Sequence, residues 1–535
     1  MATSINAKSL MSALVDGNEI AVIDPREEGS YGLKHLLLAI NIPLSRFELE
    51  IRDLVPRLST RLVLCDDNDG FSDRALRLLE VAGYSDIFIL ENGTNGWAEA
   101  GFELYSGRFV PSQLFGEYLS TQNNTQYITA LELKEKMDAG EKVIILDSRP
   151  PDEYCRSSIP GGIDTPVAEL VYRIHDLVPD PETLVVINCA GKTRSVLGSQ
   201  SLIYAGLPNP IAALQHGTMG WYLAGLELDH GATAINNGPI SAEADVWGRV
   251  ASEKIANQFN VQMISLEELD TWRKENTDRS LYLLDVRFPE EYETGHLSGS
   301  RPAPGGQIAG SSGYYIATQK ARIVLVDNTG VRATVIAAFL LQQGWTDVWV
   351  LGDGLSQHDL EFGAYKPVIP ELEQLSINEI SPNELSSILL NERIAVLDFS
   401  NSLKYFDGHI PKAWWVLRSR IDEDIHALPD VDIYITTCPN GRLARLAAHD
   451  LAKLTQAKVF SLSGGTDAWE AEGLPLSKGL ENAAGVPNDL YTIARLDDLD
   501  PPDKKYWRYI NWQSDLLDKS ARDRTLVLPV IRAPS

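Results

Sequence analysis

Cysteine is scarce. Four of them (Cys65, Cys155, Cys189 and Cys438) lie in 535 residues, too few and too scattered for a disulfide framework, and none forms a C-x-x-C pair of the zinc-ribbon or redox kind. That argues against a stapled secreted module and for a reducing, cytoplasmic setting. Positive charge is in deficit too: 47 Lys plus Arg stand against 74 Asp plus Glu, a formal charge of −27. Such a surface repels phosphate backbones and anionic bilayers, so neither nucleic acid nor a membrane is expected as a partner. Long apolar runs are missing as well. The opening MATSINAKSLMSALVDGNEI has no leader-type apolar core, and charged or turn residues interrupt every later run before it could span a bilayer. No His, Cys or carboxylate cluster has metal-ligand spacing, and PGGQIAG lacks the strand–GxGxxG–helix order of a nucleotide loop, so no metal or cofactor is expected.

What is present is enough apolar material, 44% of the residues, to give a core to each of the three to four domains that the length predicts at about 150 residues apiece. The chain also repeats itself. Short apolar runs ending in Asp recur as IAVIDPR, VIILDSR, LYLLDVR and IAVLDFS, marked by Asp24, Asp147, Asp285 and Asp398. Roughly forty residues after each comes a second β-branched run (TRLVLCD, TLVVINC, ARIVLVD, VDIYITTC) that leads through a loop into an apolar-periodic helix. A third run then ends in a small-residue turn. Strands apolar on both faces, alternating with helices, read as buried parallel strands, and ligands of such sheets bind beyond the carboxyl ends.

The second repeat carries the chemistry. Its strand delivers Cys189 into C-A-G-K-T-R-S, with Gly191 in the loop and Lys192, Thr193, Arg194 and Ser195 leading into the helix. A tight loop feeding a helix N-terminus turns backbone N–H groups inward, forming a nest that favours a thiolate or an oxyanion. Lys192 and Arg194 add two positive charges for a small dianion, the Arg in bidentate fashion. Cys189 is therefore the expected nucleophile.

Asp-x-Arg after a strand, C-x-x-G-x-R-S on the central loop and a Gly turn before Trp221 together resemble the rhodanese family of sulfurtransferases. The resemblance covers residues 1 to 480. It implies an α/β chain of four tandem rhodanese-like domains (1–106, 126–231, 259–366 and 377–480), each a doubly wound parallel sheet flanked by helices, with a tail over 481–535 that packs back onto a domain. It also implies a ping-pong reaction: Cys189 takes a sulfane sulfur from a donor such as thiosulfate, stores it as a persulfide, and yields it to cyanide or a thiol. Asp147 and Arg149 match the family's ion pair, a support for neighbouring loops. Four residues separate Cys189 from Arg194, one fewer than in relatives that hydrolyse phosphate, which disfavours a phosphatase or arsenate reductase. A persulfide carrier fed by a partner protein, and passing its sulfur to a protein acceptor, is the alternative.

The other loops depart from the pattern. Asp327 stands at the nucleophile position of D-N-T-G-V-R and Asp67 at that of D-N-D-G-F-S, so the third and first repeats are expected to be silent, their carboxylates acting as permanent anions in the nest. Cys65 reads as a buried core thiol and Cys155 as an incidental surface one. In the fourth repeat Cys438 opens C-P-N-G-R-L-A without the closing Arg, a possible second site. Two-domain relatives pair a silent domain with an active one, so repeats one and two, and three and four, are expected to pack as pairs. On that basis a fragment ending near residue 235 should fold and stay active.

Overall fold

The computed structural model describes residues 3–275, 278–352, 354–355, 360–390, 393–492, 500–523, 525–526 and 528–529. Each repeat forms its own parallel sheet in the order first, fifth, fourth, second, third strand. In the second repeat these are Tyr127–Ile128, Ile211–Leu214, Leu184–Asn188, Val143–Asp147 and Ile163–Asp164. Val185, Val186 and Ile187 have no exposed surface because helices cover both faces of that sheet, which is why the run reads as continuously apolar. The central strand is Leu184–Asn188, so Cys189 emerges at the carboxyl edge in mid-sheet.

The repeats pair differently from the sequence expectation. Repeat two packs on repeat three: Leu170, Val171 and Ile174 of the helix Val167–Leu177 and Leu197 of the helix Thr193–Ala205 share one core with Ile308, Ile336 and Phe339. Polar contacts at this interface are related by an approximate two-fold. Arg194 Nη1 and Nη2 donate to Glu153 at 2.7 and 2.8 Å, and Nη1 reaches Gln307 of repeat three at 3.3 Å. In return Arg332, fully buried, donates to Glu291 at 2.7 and 2.9 Å and to Glu169 of repeat two at 2.8 Å.

Repeat one packs on repeat four by the same segment, through Arg418, which donates twice to Glu48 at 2.8 Å. Here Gly29 comes so close to Asn488 that an added Cβ would lie 2.5 Å from its carbonyl oxygen. The pairs one–two and three–four are thus replaced by two–three and one–four. A fragment ending near residue 235 would bare the apolar face of Val167–Leu177, so the pairing on which its folding was expected is not the one present. The two pairs also join: Thr318–Gln319 of repeat three adds antiparallel to Ile20–Asp24 of repeat one.

The tail does pack back. Its helix Pro502–Ser514 lies on the linker helix Val110–Gln122 and on the Cys189 loop, and Leu516 is buried with Leu37, Tyr105, Val110 and Leu114. Among the described residues no helix is long and apolar enough to cross a membrane.

Candidate active site

The floor of the site is the end of two adjacent strands. Asp147 accepts the backbone N–H of Arg149 at 3.1 Å, its Nε at 2.9 Å and its Nη2 at 2.7 Å, and also Asn188 Nδ2 at 2.9 Å. The Asn188 hydrogen bond locks the second strand to the fourth one residue before Cys189, and the Arg149 pair fixes the Asp147 carboxylate that accepts it. The turn at His216 and Gly217 closes the loop from the other side. Gly217 has φ +56°, and a Cβ on it would stand 2.1 Å from the carbonyl oxygen of Cys189, so only glycine permits the approach. The same carbonyl accepts the Thr218 N–H at 2.8 Å.

Cys189 itself is only 2% exposed, with Sγ 3.6 Å from Ser195 Oγ. The hydroxyl of Ser195 in turn donates to the carbonyl of Lys192 at 2.8 Å. Thr193 Oγ1 donates to Gln113 on the linker helix at 2.6 Å and accepts from Gln513 of the tail at 3.0 Å. Gly191 faces Tyr509, 3.1 Å from where its Cβ would be. Thus Gly191, Thr193 and Ser195 hold the loop.

Each of the two loop cations has a carboxylate partner. The guanidinium of Arg194 pairs with Glu153 and reaches Gln307, so it braces the loop against repeat three; the sequence signal for this, the shared D/E-E-Y after Asp-x-Arg, is present in PDEY and PEEY. Lys192 forms an ion pair with Glu117 of the linker helix, whose other oxygen, Oε1, is buried without a partner. Burial pushes the Glu117 carboxyl up, while Lys192 opposes it. A cavity of about 100 Å³ opens here, walled by Tyr127, Lys192 and His216 on one side and Tyr509, Ile510 and Gln513 on the other. Burial and then Lys192 hold the His216 imidazole below its usual range, so it brings no competing positive charge.

The other three loops supply internal comparisons. In repeat three the Asp327 carboxylate accepts backbone N–H groups from Thr329 at 2.8 Å, Arg332 at 2.7 Å and Ala333 at 3.1 Å, and another from Gly330. This loop is an anion nest with a built-in anion. In repeat one the register needs correction: Asp66, not Asp67, occupies the nucleophile position. Asp66 accepts the N–H of Asn68 at 3.0 Å and of Ser72 at 2.8 Å, and its carbonyl takes the Thr94 N–H at 2.8 Å as that of Cys189 takes Thr218. Asp67 is drawn away by Arg26 at 2.7 Å and Lys34 at 3.1 Å, opposite charges that lie outside the nest. Cys65 is fully buried, and Cys155 lies on the helix Pro151–Arg156.

In repeat four Cys438 Sγ accepts the Ala444 N–H at 3.3 Å, so part of the nest survives. Its environment is nevertheless wrong for a nucleophile. Ser400 stands where Arg149 stands in repeat two, so Asp398 lacks the guanidinium that pairs with Asp147. Burial pushes the Cys438 thiol up to about 11, with the charge of Asp398 adding to the shift against the loop N–H groups. Iodoacetamide labelling followed by mass spectrometry should therefore leave Cys438 unmodified at neutral pH and mark it only as the pH approaches 11. Labelling of Cys438 at pH 7 as fast as an exposed thiol would contradict this electrostatic account.

Residues 6–100, 129–224, 265–359 and 381–472 match the family described as rhodanese-like domain. A solved structure, a thiosulfate sulfurtransferase from Pseudomonas aeruginosa, is 42% identical, covers 99% of this chain and 100% of its own, and superposes with a TM-score of 0.92. A thiosulfate sulfurtransferase of Actinobacillus pleuropneumoniae, GlpE, is 26% identical over 101 residues, 19% of this chain and 94% of its own length. An HTH-type transcriptional regulator of Mycobacterium tuberculosis is 36% identical over 105 residues, so the chain spans only 45% of that protein.

Proposed function

The chain belongs to the rhodanese-like domain family and is a sulfurtransferase, and from that premise we propose that it moves the sulfane sulfur of thiosulfate through a Cys189 persulfide to cyanide or a thiol. The observation that carries the assignment to Cys189 is the loop of repeat three. There the same backbone turn wraps a carboxylate in N–H donors, and repeat two has a thiol in that place with Lys192 beside it. A thiolate there attacks the outer sulfur of thiosulfate, the S–S bond breaks, and sulfite leaves with the electron pair. Cyanide or a thiolate then attacks the outer sulfur of the persulfide, which returns the Cys189 thiolate and releases thiocyanate or a new persulfide. Cys438, held as a thiol, takes no part. The four free thiols support a reducing, cytoplasmic setting.

Lys192 is the cation that faces the cavity, and Glu117 competes with the substrate for it. Acidification protonates the raised Glu117 carboxyl and releases Lys192. The KM for thiosulfate should accordingly fall as pH drops through that titration. Glu117→Gln should lower KM several-fold at pH 8, by about 1 kcal/mol, and flatten the pH dependence. An unchanged KM and pH profile in Glu117→Gln would show that the ion pair has no part in donor binding.

A further inference from the structure

The tail helix Pro502–Ser514 is fixed across the mouth of the Cys189 loop by contacts along its length. Tyr506 stacks edge-on against Tyr222 with ring centres 5.4 Å apart, and Trp507 meets His216 at 6.3 Å. Tyr509 Oη donates to Gln113 at 3.2 Å, and Gln513 Nε2 donates to Thr193 Oγ1 at 3.0 Å. Trp512 Nε1 donates to the Ser106 carbonyl at 3.0 Å, and its ring lies against Gly107, where a Cβ would be 2.3 Å away. Tyr509, Gln113, Thr193 and Gln513 therefore form one network tying tail, linker helix and catalytic loop together.

The consequence is steric. Tyr509 lies against Gly191 and Cys189 is only 2% exposed, and the space left beside the loop between Gly191, Lys192 and Tyr509 is about 100 Å³. A nucleophile of a few heavy atoms fits there. A cysteine on a folded protein brings its neighbouring backbone to the sulfur, and the tail helix stands where that backbone would have to go.

We propose that Tyr509 and Gln513 set the acceptor class of the Cys189 site, admitting a small free nucleophile such as cyanide, sulfite or a low-molecular-weight thiol and excluding a thiol carried on a folded protein. The inference rests on the Cys189 persulfide reading above. In each case the acceptor attacks the outer persulfide sulfur, the S–S bond breaks, and its electron pair returns to Cys189, so no further oxidant or reductant is required.

The test uses the full-length chain, loaded with thiosulfate and freed of excess donor, and follows discharge of the persulfide to cyanide and to reduced thioredoxin as a protein-thiol probe. The intact chain should discharge to cyanide and react with the protein thiol at least about a hundredfold more slowly. Tyr509→Ala should raise the protein-thiol rate about tenfold relative to the cyanide rate, and Gln513→Ala should move it in the same direction. Tyr509→Phe, which keeps the ring and loses only the hydrogen bond to Gln113, should retain the native selectivity and serves as the folded control. Equal discharge to both acceptors by the intact chain, or an unchanged ratio in a folded Tyr509→Ala, overturns the inference. Thiocyanate formation that survives Cys189→Ser would instead remove the reading on which it rests, so the two failures are distinguishable.

Discussion

Cys189→Ser is expected to lower thiosulfate-to-cyanide turnover by at least about a thousandfold and to abolish persulfide formation detectable by mass spectrometry. A serine hydroxyl stays protonated at neutral pH, and alkoxide is a far poorer nucleophile toward sulfane sulfur than thiolate. The substitution is nearly isosteric, so the nest, the Asp147–Arg149 pair and the tail network should persist and the loss should appear in kcat. Cys438→Ser should leave turnover unchanged, because that thiol is pushed up to about 11 by burial and by Asp398. If Cys438→Ser lost activity while Cys189→Ser kept it, the assignment of the site would be wrong.

Arg332→Ala should be the most destabilising single change outside the catalytic loop, costing about 3–5 kcal/mol. Arg332 is fully buried and serves Glu291 and Glu169 on two repeats at once. Its removal leaves Glu291 without its ion-pair partner and Glu169 with Arg173 alone, at the centre of the two–three interface. The cost is the desolvation of those anions, not merely the loss of four hydrogen bonds. The pH dependence should carry the same signature. Burial would raise Glu291, but the Arg332 hydrogen bonds and charge overcome it and hold the carboxyl below its usual 4.5. A lowered folded-state value contributes stability above pH 4.5 that is lost as the pH falls below it. The native chain should therefore lose stability steeply in acid, and Arg332→Ala should lack that part of the slope. Arg332→Lys should not restore it, since one ammonium cannot present a planar fork to two partners. Urea unfolding from pH 7 to pH 3 checks both statements, and an unfolding free energy of Arg332→Ala within about 0.5 kcal/mol of native would refute them.

Much of this was open to a reader of the chain alone. The recurring strand ending in Asp, the second run about forty residues later and the small-residue turn mark the repeats because side-chain periodicity is a local property, legible wherever both faces of a strand are buried. The C-A-G-K-T-R-S loop was readable for the same reason: a nest is made by consecutive residues, so its donors and its nucleophile travel together in sequence. Asp327 in its ring of N–H groups is the clearest instance, foreseen from one residue and present as four backbone donors. The register of Asp66 and Asp67 was harder, because two adjacent carboxylates are chemically alike and only the positions of Arg26 and Lys34 separate them.

What the sequence by itself determined, then, is the number of repeats, the parallel sheet within each, and the residue at the centre of the loops of repeats two, three and four. Only the tertiary structure decided what lies around those loops. Repeat two pairs with three, and not with its neighbour one, because the interface is chosen by complementary surfaces such as Arg332 with Glu169, and these lie more than a hundred residues apart. Arg194 meets Glu153 and Gln307 for the same reason. Glu117, Tyr509 and Gln513 reach the site from a linker and a tail that share no period with the repeats. Local order follows from neighbours along the chain, whereas a wall built by distant segments depends on which buried charges and apolar faces find partners across space, and no periodicity records that choice.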